Sequence, residues 1–478
     1  MHNFTSIKNK LSLPEALIQS LKNIKGFSEE AFKSVHQSGR QITSIRFNPN
    51  KLAYSLKASP TGGGLEGAVP WSSNGYYLSE RPSFTSDPLF HAGAYYVQEA
   101  SSMFLEEVLK QTVDLTKPVK VLDLCAAPGG KSTLIQSIIS ADSLLVSNEV
   151  IKTRVNILAE NITKWGAANV IVTNNDPKDF QRLKNYFDVI VVDAPCSGSG
   201  LFRKDPNAIN KWSDNNVALC AQRQQRILAD IMPSLKDGGM LIYSTCSYSK
   251  AEDEEIGEWL AQELEVESVQ LKVAENWGIV ETVSERSGSF GYRFYPDKVK
   301  GEGFFIAAFK KPISSAIVSE IKNYPSATLR TKDKTKQPFT AKEIEIVKPY
   351  LVNADNYFYI KQHEEVIAMP LHLENDLAII QSFLYIKKAG VRLGTIIRNE
   401  LIPAHDLAVS NIINAAIPKA AVDKETALQY LRKVDIAIES ASKGWVLLTH
   451  QGLPIGWIKI MLNRTNNYYP AAWRILNK

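Results

Sequence analysis

Between residues 118 and 312, short runs rich in Val, Ile and Leu alternate with amphipathic stretches at helical spacing. This constrains the fold more than any other feature, because it is the pattern of a parallel sheet covered by helices on both faces. The runs are "VKVLDLC" (119–125), "SLLVSNEV" (143–150), "NVIVTNND" (169–176), "FDVIVVDAPC" (187–196) and "GMLIYSTCS" (239–247). Between them "KSTLIQSII", "TRVNILAENITKWG" and "NNVALCAQRQQRILADIMPSLKDGG" read as helices, the last closed by its Gly pair, and "GEGFFIAAFKK" reads as a final strand. A sheet domain over 111–312 follows. A chain of 478 residues is too long for one core. Residues 1–110 read as a smaller α/β module with a helical opening, and 313–385 as a linker and intermediate domain, with a lysine-rich polar stretch at 330–343. Residues 386–478 read as a β-rich module whose tail carries no Asp or Glu after Ser440.

No run has the length of a membrane span, and the first residues lack the apolar centre of a signal peptide. The four cysteines Cys125, Cys196, Cys220 and Cys246 have no CxxC spacing and no clustered histidines, which predicts neither a disulfide framework nor a metal site and fits a reducing cytoplasm. A net charge of +5 permits an anionic partner without requiring one.

The first strand runs into "DLCAAPGGKST" (123–133), a side-chain-poor turn where a ligand can approach the backbone at a helix start. It is neither a Walker loop nor GxGxxG. Successive strands end at Asp123, Glu149, Asp176 and Asp193. Glu149 is placed for the hydroxyls of a ribose, and Asp176 for an adenine amino group. Several carboxylates around one crevice repel phosphates but suit S-adenosylmethionine, cationic at sulfur. Lys131 can meet its carboxylate or an RNA phosphate.

Cys196 and Cys246 stand at two strand ends beside this crevice. Carbon 5 of a pyrimidine is a poor nucleophile. A thiolate adding at carbon 6 turns the ring into an enamine that can take a methyl group, and a base must later free the product. Asp193 can hydrogen-bond the pyrimidine N3, and the Pro195 carbonyl can accept from the amine of a cytosine. Which thiol attacks is left open by this chemistry. Cys220 falls mid-helix and reads as core. Phe202, Arg203 and Lys204 suit either a grip on the target strand or a solvated loop. Lys443, Lys459, Arg464, Arg474 and Lys478 are interleaved with Trp445, Trp457, Tyr468, Tyr469 and Trp473, a mixture that can track phosphates and stack bases, although at least half of these rings are expected in a core.

The motifs "VLDLCAAPGGKST", "SNE", "NND", "VVDAPCSGSGLFRKDP" and "YSTCSYSKAEDEE" closely resemble the Sun-type RNA cytosine-C5 methyltransferases. "YYVQEASSM", "RFYPDKVKGEGFF" and the ending "GLPIGWIKIMLNRTNNYYPAAWRI" are similar to its bacterial RsmF type, which acts on 16S ribosomal RNA. The resemblance implies an α/β fold: a Rossmann-like S-adenosylmethionine-dependent methyltransferase sheet with one antiparallel strand, an N-terminal α/β RNA-binding module and a C-terminal PUA-like β-rich domain. It implies Cys246 as nucleophile, Cys196 as the thiol assisting release, and Asp193 as the third catalytic residue. Cofactor contacts are implied at Cys125, Ala126, Ala127, Pro128, Gly129, Gly130, Lys131, Glu149, Asp176 and Asp193. The expected partner is ribosomal RNA or the small ribosomal subunit, bound by a monomer. Transfer RNA as substrate, and a non-catalytic ribosome-assembly factor, are the alternatives.

Overall fold

A computed structural model describes residues 12–51, 64–313, 339–362, 364–438 and 442–476. Expectations resting on residues 1–11, on the lysine-rich stretch at 330–338 and on Lys478 lie outside them.

The N-terminal sheet has the order β2-β3-β1-β4, from β1 (Thr43–Phe47), β2 (Leu65–Ala68), β3 (Gly75–Leu78) and β4 (Tyr95–Val97). The chain then enters the central sheet. Its parallel part is β5 (Lys120–Asp123), β6 (Leu144–Asn148), β7 (Val170–Thr173), β8 (Phe187–Asp193) and β9 (Leu235–Thr245), in the spatial order β7-β6-β5-β8-β9. These strands are buried on both faces, which is why they lack alternation. The chain leaves β5 toward β6 on one side and later places β8 on the other. The switch opens a crevice at the C-terminal ends of β5 and β8, where the first turn, Asp193 and Cys196 lie.

Beyond β9 the sheet continues antiparallel through β13 (Phe304–Lys310), β12 (Phe290–Phe294) and β11 (Val280–Val283), with β10 (Glu267–Val269) also on β13. On the far edge β16 (Ile386–Ala389) pairs antiparallel with β7. The single antiparallel strand expected from the resemblance is thus one of several. Short, spaced segments such as "VETV" and "FGYRF" gave no sign of joining a sheet begun 150 residues earlier.

A second difference concerns the Gly pair at 238–239. The helix Asp214–Ile231, capped by the Ser213 hydroxyl accepting from the Asn216 N–H, ends before Pro233, whose ring cannot continue it. Gly238 and Gly239 lie inside β9, where the register against β8 shifts and Gly238 has φ +76°.

Residues on either side of 385 form one sheet, β14 (Tyr357–Gln362), β15 (Glu365–Pro370), β17 (Val391–Ile397) and β18 (Glu400–Pro403). A boundary expected at 385/386 therefore cuts through the β15–β17 pairing. The last sheet is β19 (Lys419–Val422), β20 (Gly444–His450), β21 (Leu453–Ile460) and β22 (Thr465–Asn467).

The flanking modules are packed on each other as well as on the central sheet. Ile45, Phe47 and Tyr95 share one core with Tyr430, Val446, Ile455 and Tyr469. Two buried cations fasten this arrangement. Arg46 donates from Nε to Gln98 Oε1 (2.8 Å) and from Nη2 to Thr133 Oγ1 (2.7 Å), with its guanidinium 4.6 Å from the Trp165 ring centre. Lys51 Nζ donates to the carbonyls of Ala92 (2.7 Å), Lys164 (2.7 Å) and Val409 (2.8 Å), one from each part of the chain.

Candidate active site

The turn after β5 carries the cleft. Ala127–Pro128 is a cis peptide, and Gly129 takes φ +117°, a conformation costly for other residues, before the helix Gly130–Ile138 begins. The cleft is about 200 Å³, lined by Cys125, Ala126, Ala127, Pro128, Gly130, Lys131 and Asp193 on one side. Tyr96, Val97, Gln98, Glu99 and Ser102 of the N-terminal module line the other. The module therefore completes the pocket. The stretch "YYVQEASSM" that contains these residues was visible as a resemblance, but no local chemistry marked it as a wall.

The four strand-end acids have different surroundings. Asp123 is fully buried beneath the turn, with Oδ2 accepting from Ser132 Oγ at 2.6 Å. Glu149, also buried, accepts the Ile151 N–H at Oε1 (2.9 Å) and has Oε2 3.3 Å from Arg154 Nη1. Arg154 also donates to the Ala127 carbonyl, so it bridges the first turn to Glu149. Asp176 lies beyond the end of β7 and caps the following turn, accepting from the Lys178 N–H at 3.2 Å while its own N–H donates to Asp179. Of the four, Asp193 lines the cleft; Glu149 and Asp176 stand at neighbouring strand ends outside that lining. Asn148, which sequence reasoning passed over, joins three of these ends. Its amide donates to the carbonyls of Leu124 (3.1 Å) and Asn175 (3.0 Å), and its Oδ1 accepts the Asn175 N–H (3.0 Å).

Burial pushes the Asp123 carboxyl up to about 7; Ser132 and Lys131 oppose the shift, and Asp193 and Glu149 add to it. The unfolded value is about 3.9. The folded state thus holds this proton more tightly, and the resulting stability is complete below about pH 4 and lost as pH rises through about 7. Asp123→Asn is expected to flatten the fall in urea-measured stability across that window. The flattening is partial, since Glu302, which burial raises to about 7 against the pull of Arg203, remains. An unchanged pH slope contradicts this.

Asp193 Oδ1 accepts from Ser244 Oγ at 2.8 Å, and Oδ2 lies 2.8 Å from Lys131 Nζ. Three residues past Asp193 and two past its sheet partner Ser244 come the two cysteines, with Cys196 Sγ and Cys246 Sγ 3.1 Å apart. The hydrogen bond to Cys246, then burial and the Glu252 carboxylate, hold the Cys196 thiol well above its usual range. Either sulfur can donate to the other across this contact. Gly200 passes so near that an added Cβ would lie 2.4 Å from the Gly303 carbonyl and 2.8 Å from that of Cys246. Cys125 faces the cleft, half-buried, and burial followed by Asp123 and Asp193 pushes its thiol up. Cys220 is buried in its helix. The Pro195 carbonyl accepts from Gln224 Nε2 at 3.1 Å, which leaves it a second lone pair.

The acids Glu252 to Glu254 after Cys246 lie inside the protein. Glu252 and Asp253 are fully buried. Glu252 accepts from both cysteine loops, at Oε1 from the Ser197 N–H (2.7 Å) and at Oε2 from Ser197 Oγ (2.5 Å) and Ser247 Oγ (2.6 Å). Asp253 accepts from Thr245 Oγ1 (2.6 Å), and Arg293, buried, pairs with both Asp253 and Glu254 while donating to the Tyr248 carbonyl (2.9 Å). Phe202 and Arg203 are likewise interior. Phe202 packs with Leu17 and Tyr248, and Arg203 donates to the carbonyls of Arg40 (2.6 Å) and Gly301 (3.1 Å); Lys204 is exposed. Among the C-terminal rings Trp457 and Tyr469 are core, while Trp445, Tyr468 and Trp473 stay partly exposed. Among the described residues no group of three His, Cys, Asp or Glu is placed to hold a metal ion, and no helix is long and apolar enough to cross a membrane.

Residues 110–310 match the family described as 16S rRNA methyltransferase RsmB/F, 13–100 match the N-terminal domain of 16S rRNA methyltransferase RsmF, and 418–475 match the methyltransferase RsmF PUA domain. Ribosomal RNA small subunit methyltransferase F of Psychromonas ingrahamii is 28% identical over 97% of either chain. Its counterpart in Enterobacter sp. strain 638 is 30% identical over 84% of this chain and 83% of its own. Among solved structures, a methyltransferase homolog from Pyrococcus horikoshii is 27% identical over 63% of this chain and all of its own, with a TM-score of 0.50. NSun6 of Pyrococcus horikoshii, at 20% identity over 63% of this chain and 99% of its own, has a TM-score of 0.52 and shares the fold. With the Enterobacter relative 30% identical over 84% of this chain, and three domain matches in chain order, this chain belongs to the ribosomal RNA small subunit methyltransferase F family.

Proposed function

We propose that this protein methylates carbon 5 of a cytosine in 16S ribosomal RNA through a covalent bond between Cys246 and carbon 6 of the base. The observation that carries this reading is the pair of sulfurs 3.1 Å apart at the ends of neighbouring strands, with Asp193 at the start of one loop. Transfer to an oxygen or a ring nitrogen has no use for two thiols. Transfer to a pyrimidine carbon has a use for both.

The cleft fits S-adenosylmethionine. Its floor is the small-residue turn Cys125–Pro128 with Gly130, where no side chain blocks a ligand, and the Glu149 carboxylate, paired with Arg154, stands at the next strand end. S-adenosylmethionine would be held by this turn, with Glu149 and Asp176 the residues we assign to its nucleoside, and would supply an electrophilic methyl group. The protein's own groups do the rest. Cys246 Sγ, as its thiolate, adds to carbon 6, the C5–C6 double bond opens, and the charge that moves toward N3 is met by a proton shared between N3 and Asp193, with the Lys131 ammonium 2.8 Å from Asp193 Oδ2. The Pro195 carbonyl accepts from the exocyclic amine. After methylation the carbon 5 proton passes to Cys196, acting as its thiolate, the C5–H electron pair re-forms the C5–C6 double bond, and the Sγ–carbon 6 bond breaks to return Cys246 as a thiolate.

Reaching Cys246 requires the base to leave its stack, at a cost of about a few kcal/mol. The N-terminal module, residues 1–110, and the C-terminal sheet, with Lys459, Trp445 and Tyr468 on its surface, are the elements we assign to gripping RNA and offsetting that cost. The substrate names carried by the relatives favour ribosomal over transfer RNA. Incubation with methyl-labelled S-adenosylmethionine is expected to label 16S RNA or small subunits at least tenfold faster than transfer RNA. Equal rates would defeat the substrate assignment.

A further inference from the structure

The two cysteine loops are held very differently. Cys246 follows the long strand β9, its carbonyl accepts the Gly200 N–H at 2.9 Å, and the next residue donates from its N–H to Thr245 Oγ1 at 3.2 Å. Cys196 lies in the "PCSGSG" loop, whose far end is tied by Ser199 Oγ accepting the Tyr248 N–H (2.9 Å) and by the Gly200 N–H, while Pro195 and Gly198 nearer the thiol supply no anchoring side chain. Its neighbour Ser197 finds its two shortest hydrogen bonds, from N–H at 2.7 Å and from Oγ at 2.5 Å, on the single carboxylate of Glu252. Ser247, next to Cys246, donates to the same carboxylate, and Gln224 Nε2 reaches both Glu252 Oε1 (3.4 Å) and the Pro195 carbonyl (3.1 Å). Glu252 itself is fully buried. An interior carboxylate taking four neutral donors from the two loops and the covering helix is costly to place. Its cost is offset only if those loops stay where they are.

We propose that Glu252 is a positioning residue that clamps the Cys196 loop against Cys246, and that it serves the product-release half of the reaction rather than the attack. This rests on the assignment of Cys246 to attack and Cys196 to release. Removing the carboxylate frees Ser197, and with it Cys196, while β9 and Thr245 continue to hold Cys246, and Ser199 and Gly200 hold only the far end of the Cys196 loop.

The test compares Glu252→Ala, Glu252→Gln and Ser197→Ala with Cys196→Ala and Cys246→Ala, all checked for folding by thermal melting. Glu252→Ala is expected to keep the KM for S-adenosylmethionine within about threefold, to lower kcat at least tenfold, and to accumulate a denaturant-resistant protein–RNA adduct, as Cys196→Ala does. Phenylarsine oxide, which bridges two adjacent thiols, reads the sulfur separation without any turnover. It should be retained by the native protein against a monothiol competitor and lost from Glu252→Ala. Glu252→Gln, whose amide oxygen still accepts from Ser197, should restore arsenical binding and most of kcat. Should Glu252→Ala fail to fold, Ser197→Ala is expected to show the same split in milder form. Native turnover, or a kcat loss with no adduct and an intact thiol pair, overturns the proposal. If instead Cys196→Ala traps nothing, or Cys246→Ala still forms the adduct, the assignment of the two thiols fails first.

Discussion

Cys246→Ala is expected to abolish methylation together with any covalent protein–RNA complex, whereas Cys196→Ala is expected to trap that complex. The two side chains are near neighbours of one type, 3.1 Å apart, so opposite outcomes cannot come from general damage to the site. They come from the division of the reaction. Attack needs one sulfur as its thiolate, which the proposed mechanism assigns to Cys246, and leaves Cys196 for release. Once carbon 5 is methylated, the adduct persists until its proton departs. Without Cys196 that step stalls. Gel mobility of the RNA-bound protein in denaturant separates the cases, and an adduct persisting in Cys246→Ala contradicts the assignment.

Asp193→Asn should have the next largest effect. Its carboxylate joins Ser244 and Lys131, at 2.8 Å each, to the lip of the cleft. Asparagine keeps the shape and can still accept from Ser244, so the fold should survive. It loses the ion pair with Lys131 and the acid at N3. General acid–base assistance is worth roughly 10²–10⁴-fold, and a fall in kcat/KM within that range is expected, with thermal stability little changed. A loss smaller than about fivefold would remove Asp193 from the chemistry.

Much of this was legible in the chain itself. Strands buried on both faces leave continuous apolar runs, and their ends, where the runs meet Asp, Cys or Gly, fall where a parallel sheet gathers its functional groups. That pattern located the cleft and brought Cys196 and Cys246 together across 50 residues. What stayed hidden depends on contacts distant in sequence. "AEDEE" has the composition of a solvated helix start, and the contacts with Arg293, Ser197 and Ser247 account for the burial of Glu252, Asp253 and Glu254 within it. Phe202 and Arg203 lie in a stretch that suits either a grip on RNA or a solvated loop, yet Phe202 packs against Leu17 and Tyr248 and Arg203 is bonded to the carbonyls of Arg40 and Gly301. The wall of the cleft formed by Tyr96 to Ser102, and the core shared by the first and last sheets, follow from docking between modules, which no local periodicity records.

The most direct measurement is the identity of the nucleoside formed. Small-subunit RNA labelled by this protein from S-adenosylmethionine, digested to nucleosides and resolved by mass, should carry its label in 5-methylcytidine, and the Cys246→Ala protein should leave none. Label in a ribose-methylated, N-methylated or purine nucleoside would contradict the covalent mechanism at its root.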